Sequence, residues 1–292
     1  MPSTRDIRRR IKSVRNTAQI TKAMQMVAAS KMRRAQQAAL AGRPYATLMN
    51  KVLGEVTFHA GDFTHPLMEK RPVKQRCVIV VSTDKGLCGA LNSNLLREAA
   101  RFDKETTTFV TAGRKGAQFI ARTRRRLAAE FTYKDTPQFA EARAISRAVQ
   151  KMFLEGEVDH VDILFTNFIN TLSQKPEVRQ LLPIGEIKAV TAGVPHPTEE
   201  EKLLHGSTEF LFEPGPEEVL GALLPHSLNF QVFQILVEAK ASEQSARMVA
   251  MKNATDNATK LIKDLTLEYN KMRQAGITNE LLEITSAAMA MG

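Results

Sequence analysis

The residues of this chain best placed for chemistry lie in one turn, Ser82-Thr83-Asp84-Lys85-Gly86-Leu87-Cys88-Gly89. The turn follows an apolar run, CVIVVST, that reads as a buried strand, and it leads into a helical pattern. Backbone N–H groups in such strand-to-helix turns can cradle a phosphate. The spacing here is neither GxGxxG nor GxxxxGKS/T, so Gly86 and Gly89 are read first as glycines that permit a tight turn. Lys115, between Gly113 and Gly116, is no stronger a signal. Asp84 and Lys85 form a conceivable acid/base pair, but charged loop residues are usually solvated. No HExxH or GxSxG occurs, and the six histidines lack ligand spacing. Cys77 and Cys88 have no CxxC spacing and read as structural or free thiols of a reducing compartment. The expectation is a chain with no catalytic residues, no metal and no cofactor.

The elements around this turn form one α/β segment. Strand patterns are expected at Thr107 to Thr111, Leu127 to Tyr133, His160 to Phe168 and Val178 to Ile184, and helical patterns at Gly89 to Phe102, Arg114 to Arg122 and Phe139 to Leu154. Strands alternating with helices predict a mainly parallel, doubly wound sheet with helices on both faces. The stretch Ala189 to Thr208 is rich in Pro, Gly and acidic residues and reads as a surface linker. Phe210 to Glu213 follows it, either as an edge strand packed on the domain or as an exposed docking edge.

Both ends of the chain read as helices too long for a compact domain. From Leu228 to Ala288 there is no proline and one glycine, Gly276. Alternating steps of four and three residues join Leu228, Val232, Ile235, Ala239, Ser242, Ala246 and Val249 into an apolar or small seam. At the other end, Ile7, Ile11, Val14, Ala18, Thr21, Ala28, Met32, Ala35 and Ala39 follow the same alternation, with Gln25 as a polar interruption. Since one chain runs out along the first helix and returns along the second, a long antiparallel two-helix coiled coil is predicted, with a helical bundle as the alternative. Pro44 is expected to kink or loosen the first helix without ending it. The division that follows is an N-terminal coiled-coil helix over 1–70, an α/β (Rossmann-like) domain over 71–195, a linker and edge strand over 196–214, and a C-terminal coiled-coil helix over 215–292.

Charge is unevenly distributed. The first 60 residues hold twelve Lys/Arg against Asp6 and Glu55, while the remaining 232 hold 29 basic and 29 acidic residues. The whole net charge of +10 therefore lies on the first helix. Such a stripe suits nucleic acid phosphates, an anionic membrane surface or acidic loops of a protein. With no tryptophan, no zinc-ligand set and no RNA-binding aromatic motif, the nucleic-acid reading rests on charge alone. No run approaches the ~20 consecutive apolar residues that a membrane helix needs. The opening MPSTRDIRRRIKSV lacks an apolar signal region and reads as a helix start, with an Arg-rich transit peptide as the alternative.

The other end is apolar. After Glu280 the only charged side chain is Glu283, and Leu281, Leu282, Ile284, Ala288 and Met289 crowd the last turns. An exposed helix end ordinarily carries cations that complement its dipole. Enclosure by another protein is the reading this favours, against a frayed end or self-association.

These residues resemble the gamma-subunit family of the rotary proton-translocating ATP synthase. The resemblance is carried by Arg5-Asp6-Ile7-Arg8-Arg9-Arg10-Ile11-Lys12-Ser13-Val14, by Ile20-Thr21-Lys22-Ala23-Met24, by Met26-Val27-Ala28-Ala29-Ser30-Lys31 and by Gly86-Leu87-Cys88-Gly89. In the second helix it is carried by Ala241-Ser242-Glu243-Gln244, Ala246-Arg247-Met248-Val249-Ala250-Met251, Asn253-Ala254-Thr255-Asp256-Asn257 and Arg273-Gln274-Ala275-Gly276-Ile277-Thr278. It implies a non-catalytic rotor shaft inside a hexamer of alpha and beta subunits, whose foot meets the epsilon subunit and the membrane c ring. Proton flow would turn it and drive ATP synthesis, with no nucleic acid bound and the membrane met only through the complex. By motif match, Arg273, Gln274 and Thr278 would hydrogen-bond a beta-subunit loop, with Met24 at the neighbouring first-helix position, near the acidic lever segment of beta. Leu281, Leu282, Ile284 and Ala288 would form the apolar bearing, and Phe210, Phe212 and Glu213 would meet the ring. Phe210 and Phe212 stand where the family often has tyrosines, and Lys85 stands where an arginine is common. The cysteine-containing insertion of the plant chloroplast form is missing, so thiol regulation of that type is not expected. The lack of a presequence points to the cytoplasmic face of a bacterial inner membrane, though a processed organellar chain would look the same.

Overall fold

The computed structural model describes residues 3–59, 65–185, 213 and 215–291. Its elements are α1 (Thr4–His59), a short 3₁₀ turn (Pro66–Met68), β1 (Arg76–Val81), α2 (Leu91–Ala100), β2 (Thr107–Ala112), α3 (Arg114–Arg122), β3 (Arg126–Phe131), α4 (Phe139–Leu154), β4 (His160–Phe168), β5 (Gln174–Leu182) and α5 (Pro216–Met291). They fall into two compact units, residues 29–246 and residues 1–28 with 247–292.

In the larger unit the strands lie in the order β3-β2-β1-β4-β5. The first three neighbouring pairs are parallel, and β5 returns antiparallel to β4. Residues of β1 alternate between faces, as a strand period of two requires. Val78 and Val80 pack with Leu95 and Ala99 of α2 and Ile120 of α3. Cys77, Ile79 and Val81 pack on the other face with Ile145, Val149 and Phe153 of α4. Both faces of the sheet are covered by apolar side chains, which is why its central strands are apolar throughout. This is the doubly wound arrangement that the alternation of strands and helices implies.

Strand ends differ from the sequence expectation at the two edges of the sheet. β3 begins one residue earlier and stops at Phe131, and β5 begins at Gln174. Edge strands present mixed polar and apolar faces, so their apolar run marks only part of their length. β5 also carries Pro176, whose missing N–H is tolerated at an edge.

Both long helices enter the same unit. Leu53 and Val56 of α1 and Leu220, Leu224, Leu228, Val232, Ile235 and Ala239 of α5 belong to the core on the α4 face of the sheet. Four of the seven residues of the expected helix–helix seam on α5, Leu228, Val232, Ile235 and Ala239, thus lie in the core of the α/β domain. One window of α5, 18 residues at mean hydropathy 1.3, is long and apolar enough to cross a membrane by length and composition alone; 44% of it is buried inside the protein. On α1, Tyr45 packs on Phe230 with ring centroids 4.6 Å apart and approaches His226 Nε2 at 2.6 Å, and Gly42 faces Gln234. Numbers rising on α1 meet numbers falling on α5, so the two helices are antiparallel. α1 runs without interruption through Pro44.

In the smaller unit, Ile7 and Ala28 of α1 are buried, as are Met251, Ala258 and Leu265 of α5, which recur at heptad spacing. Ser3 caps α1, with its hydroxyl accepting from Asp6 N at 3.2 Å and donating to Asp6 Oδ2 at 2.8 Å. The Ser3 hydrogen bonds hold the Asp6 carboxyl below its ordinary pKa.

Candidate interaction surfaces

The turn after β1 is closed by the chain's own groups. Ser82 Oγ donates to Gly113 O at 3.0 Å and accepts from Gly116 N at 2.7 Å. Thr83 O accepts from Lys115 N at 3.0 Å, and Asp84 Oδ1 accepts from Arg114 N at 3.0 Å. The first three N–H groups of α3, the helix after β2, are therefore occupied by groups of this turn. The glycines serve backbone geometry. Gly89 has φ 61°, Gly113 has φ 107°, and a Cβ on Gly113 would stand 2.2 Å from Ser82 O. Among the described residues no group of three or more His, Cys, Asp or Glu side chains could hold a metal ion.

The most unusual chemistry lies on α5 where it crosses the end of β4. Glu238, Lys240, Ser242, Glu243, Gln244 and Ser245 are all buried. Ser242 Oγ donates to Thr166 O at 2.9 Å and Ser245 Oγ donates to Thr171 O at 2.8 Å. Glu238 Oε1 accepts from Phe168 N at 3.3 Å. Burial pushes the Glu238 carboxyl up to about 7, against the opposing pull of Arg179 and of the Phe168 N–H. Lys240 Nζ lies 2.9 Å from Glu243 Oε2, 3.7 Å from Asp135 Oδ1 and 4.8 Å from the centre of the Tyr133 ring. Asp135 also meets Lys31 of α1 at 2.5 Å, and this contact holds its carboxyl below the ordinary range. The Tyr133 hydroxyl, donating to Ser82 O at 3.1 Å, is raised well above its ordinary pKa by burial and then by the charges of Glu243, Asp84 and Glu141. Sequence reasoning missed this group. Its signal was a Lys and a Glu three positions apart inside a seam of small residues.

The residues expected to contact a catalytic hexamer form two separate patches. Met24, half-buried, stands one turn from Thr21, whose hydroxyl lies 2.7 Å from that of Thr255. Arg273 follows Thr255 by eighteen positions, roughly 27 Å along the helix, so Met24 and Arg273 are not neighbours. Arg273, Gln274 and Thr278 are exposed, and Thr278 Oγ1 donates to Gln274 O at 3.0 Å. The Thr21–Thr255 register sets Thr4, the start of α1, beside about residue 272 of α5. Beyond that point α5 has no α1 beside it, and every side chain described from Arg273 to Met289 is exposed. Exposure reaches 57% at Leu281, 58% at Leu282, 64% at Ile284 and 85% at Met289, and Ala288 is exposed as well. Glu213 is exposed, whereas Phe210 and Phe212 and the linker before them lie outside the described residues.

The chain thus combines a doubly wound α/β domain with a long antiparallel helix pair whose apolar α5 end is uncovered. A family model described as ATP synthase matches residues 3–291. The ATP synthase gamma chain of Opitutus terrae is 52% identical over 292 residues, covering 99% of both chains. That of Methylacidiphilum infernorum is 45% identical over 297 residues, covering 100% of both. Among solved structures, a chain of the Tetrahymena thermophila mitochondrial ATP synthase central stalk and c ring superposes with a TM-score of 0.61 at 26% identity, over 80% of this chain and 99% of that one. A chain of the Euglena gracilis mitochondrial ATP synthase shares the fold, with a TM-score of 0.69 at 20% identity over 99% and 94%. The chain belongs to the ATP synthase gamma chain family. It is the central-stalk rotor subunit, non-catalytic, of a membrane-associated complex.

Proposed function

We propose that this chain couples proton flow through a membrane c ring to ATP synthesis and hydrolysis in a hexamer of alpha and beta subunits, and helps to set ATPase activity. The observation that carries this reading is the uncovered end of α5. Leu281, Leu282, Ile284 and Ala288 present an exposed surface poor in directional bonds, suited to turning inside a sleeve of other subunits. Each orientation of the asymmetric helix pair would stabilise a different conformation of the beta subunit facing it, which is a population shift driven by contact. Arg273, Gln274 and Thr278 supply the hydrogen-bonding patch toward a beta-subunit loop, and Met24 a separate contact on α1. Glu213, with Phe210 and Phe212, would meet the ring, and the α/β domain would meet the epsilon subunit. Membrane association is then indirect, at the cytoplasmic face of a bacterial plasma membrane.

The test is ATP hydrolysis by alpha and beta subunits from the same source, assembled with and without the chain. Sustained turnover only with the chain supports the reading. In the membrane-bound complex, Arg273→Ala with Gln274→Ala should lower coupling. No association and no change in turnover would favour the basic coiled-coil or scaffold alternative, and salt-dependent DNA binding would then be measured.

A further inference from the structure

Between residues 238 and 246 α5 offers the sheet a surface of small side chains, with Ala239 and Ala241 buried. Small apolar side chains make a smooth helix face, and packing alone then sets its rotation about its axis only weakly. The same turns carry a buried ammonium and a buried carboxylate, costly to desolvate unless each finds its partner. Lys240 is 2% exposed, Glu243 is 3% exposed, and the two are paired at 2.9 Å. Ser242 and Ser245 add directed hydrogen bonds to Thr166 O at the end of β4 and to Thr171 O in the turn before β5. Asp135, in the loop before α4, completes the charge around Lys240. Rotating α5 by a fraction of a turn would break both serine bonds and part Lys240 from Asp135 and the Tyr133 ring, while the Lys240–Glu243 pair, both on α5, would turn with the helix. A cavity of about 200 Å³ lies beside this point, lined by Lys31, Arg34, Asp135, Thr136, Pro137 and Val237. Directed polar contacts on the domain side supply the constraint.

We infer that Lys240, Ser242 and Ser245 are positioning residues for rotation: Ser242 and Ser245 key α5 on the β4–β5 hairpin and Lys240, balanced by Glu243, keys it on Tyr133 and Asp135 between β3 and α4, so that helix and α/β domain turn as one. This rests on the rotor function, and it assigns to α5 a role separate from its contacts with other subunits. A buried ion pair exchanged for apolar side chains of similar volume is often neutral or stabilising. Stability and positioning can therefore be separated in one variant.

The experiment is ATP-driven proton pumping by the complete complex in inverted vesicles, comparing wild type with the double variant Lys240→Met, Glu243→Leu at equal amounts of assembled complex. The expected result is an unchanged or higher melting temperature, hydrolysis within about two-fold of wild type, and protons pumped per ATP lowered at least three-fold. Pumping per ATP equal to wild type would overturn the inference. A structural defect alone lowers the amount of complex and leaves that ratio intact. Should the double variant fail to assemble, Ser242→Ala with Ser245→Ala is read the same way, with the same loss expected and an unchanged ratio overturning the proposal. If wild type itself neither assembles nor pumps, the rotor reading fails, and the two failures are thereby distinguished.

Discussion

Thr21 Oγ1 on α1 and Thr255 Oγ1 on α5 lie 2.7 Å apart. Thr21 Oγ1 is also 3.1 Å from Ala18 O, and Thr255 Oγ1 is 2.9 Å from Met251 O. Two hydroxyl protons cannot serve all three contacts, so one bond back to the helix is given up whenever the interhelical bond forms. Thr255→Val keeps the shape and removes the hydroxyl. Thr21 can then return its proton to Ala18 O, so a loss of about 0.5–1 kcal/mol is expected. A double-mutant cycle with Thr21→Val, read by urea unfolding, should give a coupling energy of the same sign; a value of zero would mean the contact contributes nothing.

The glycines divide by what a methyl group would meet. Gly113→Ala places a Cβ 2.2 Å from a backbone carbonyl oxygen at a φ of 107°. Strain and clash act together, and a loss of about 3 kcal/mol or more is expected, visible as poor accumulation of folded chain. Gly276 lies inside α5, and a methyl group placed on its Cα would meet nothing within 4 Å. Gly276→Ala should raise the stability of the isolated chain by about 1 kcal/mol through helix propensity. Equal effects at the two positions would contradict the difference in backbone geometry.

Cys77 is fully buried in β1, and burial, followed by the charge of Asp162, pushes its thiol up to about 12. At pH 8 the thiolate fraction is on the order of one in ten thousand, and no reagent reaches it without local opening. Cys88 is buried as well, with Asn92 Nδ2 donating to its sulfur at 3.4 Å. Maleimide labelling of the native chain is expected to be slow at both residues and to finish rapidly in concentrated guanidinium. Rapid native labelling at Cys77 would show that β1 opens.

What could be read from the sequence followed the strength of local periodicity. The central strand Arg76–Val81 and the two long helices repeat one signal over many residues. The edge strands do not, because one of their neighbours is solvent and their apolar run is broken. Ser242 illustrates a different limit. Its spacing from Ile235 and Ala239 fitted a helix–helix seam, but its hydroxyl bonds a carbonyl of β4. A heptad pattern reports which side of a helix is buried and says nothing of what buries it. Lys240 and Glu243 were invisible for a related reason, since a single charge in a helix is ordinarily solvated and only the fold shows that this pair is enclosed.

Glu238 makes stability depend on pH in an unusual direction. Its carboxyl titrates near pH 7 in the folded chain, up from 4.5, because burial disfavours the charged form more than Arg179 and the Phe168 N–H favour it. Between pH 4.5 and 7 the folded chain holds a proton that the unfolded chain has released. Stability from this group is therefore fully present below pH 4.5 and falls as pH rises through that window, by roughly 3 kcal/mol in all. Glu238→Gln keeps an oxygen for the Phe168 N–H and cannot ionise. The variant should match wild type in acid and exceed it increasingly from pH 5 to pH 8, as read by urea midpoints across that range. Arg179 and Glu177, the charged neighbours, are unchanged in the variant and their direct contribution cancels in the comparison. A constant difference between the two proteins across the range would mean that Glu238 is charged throughout and that its burial is offset by Arg179.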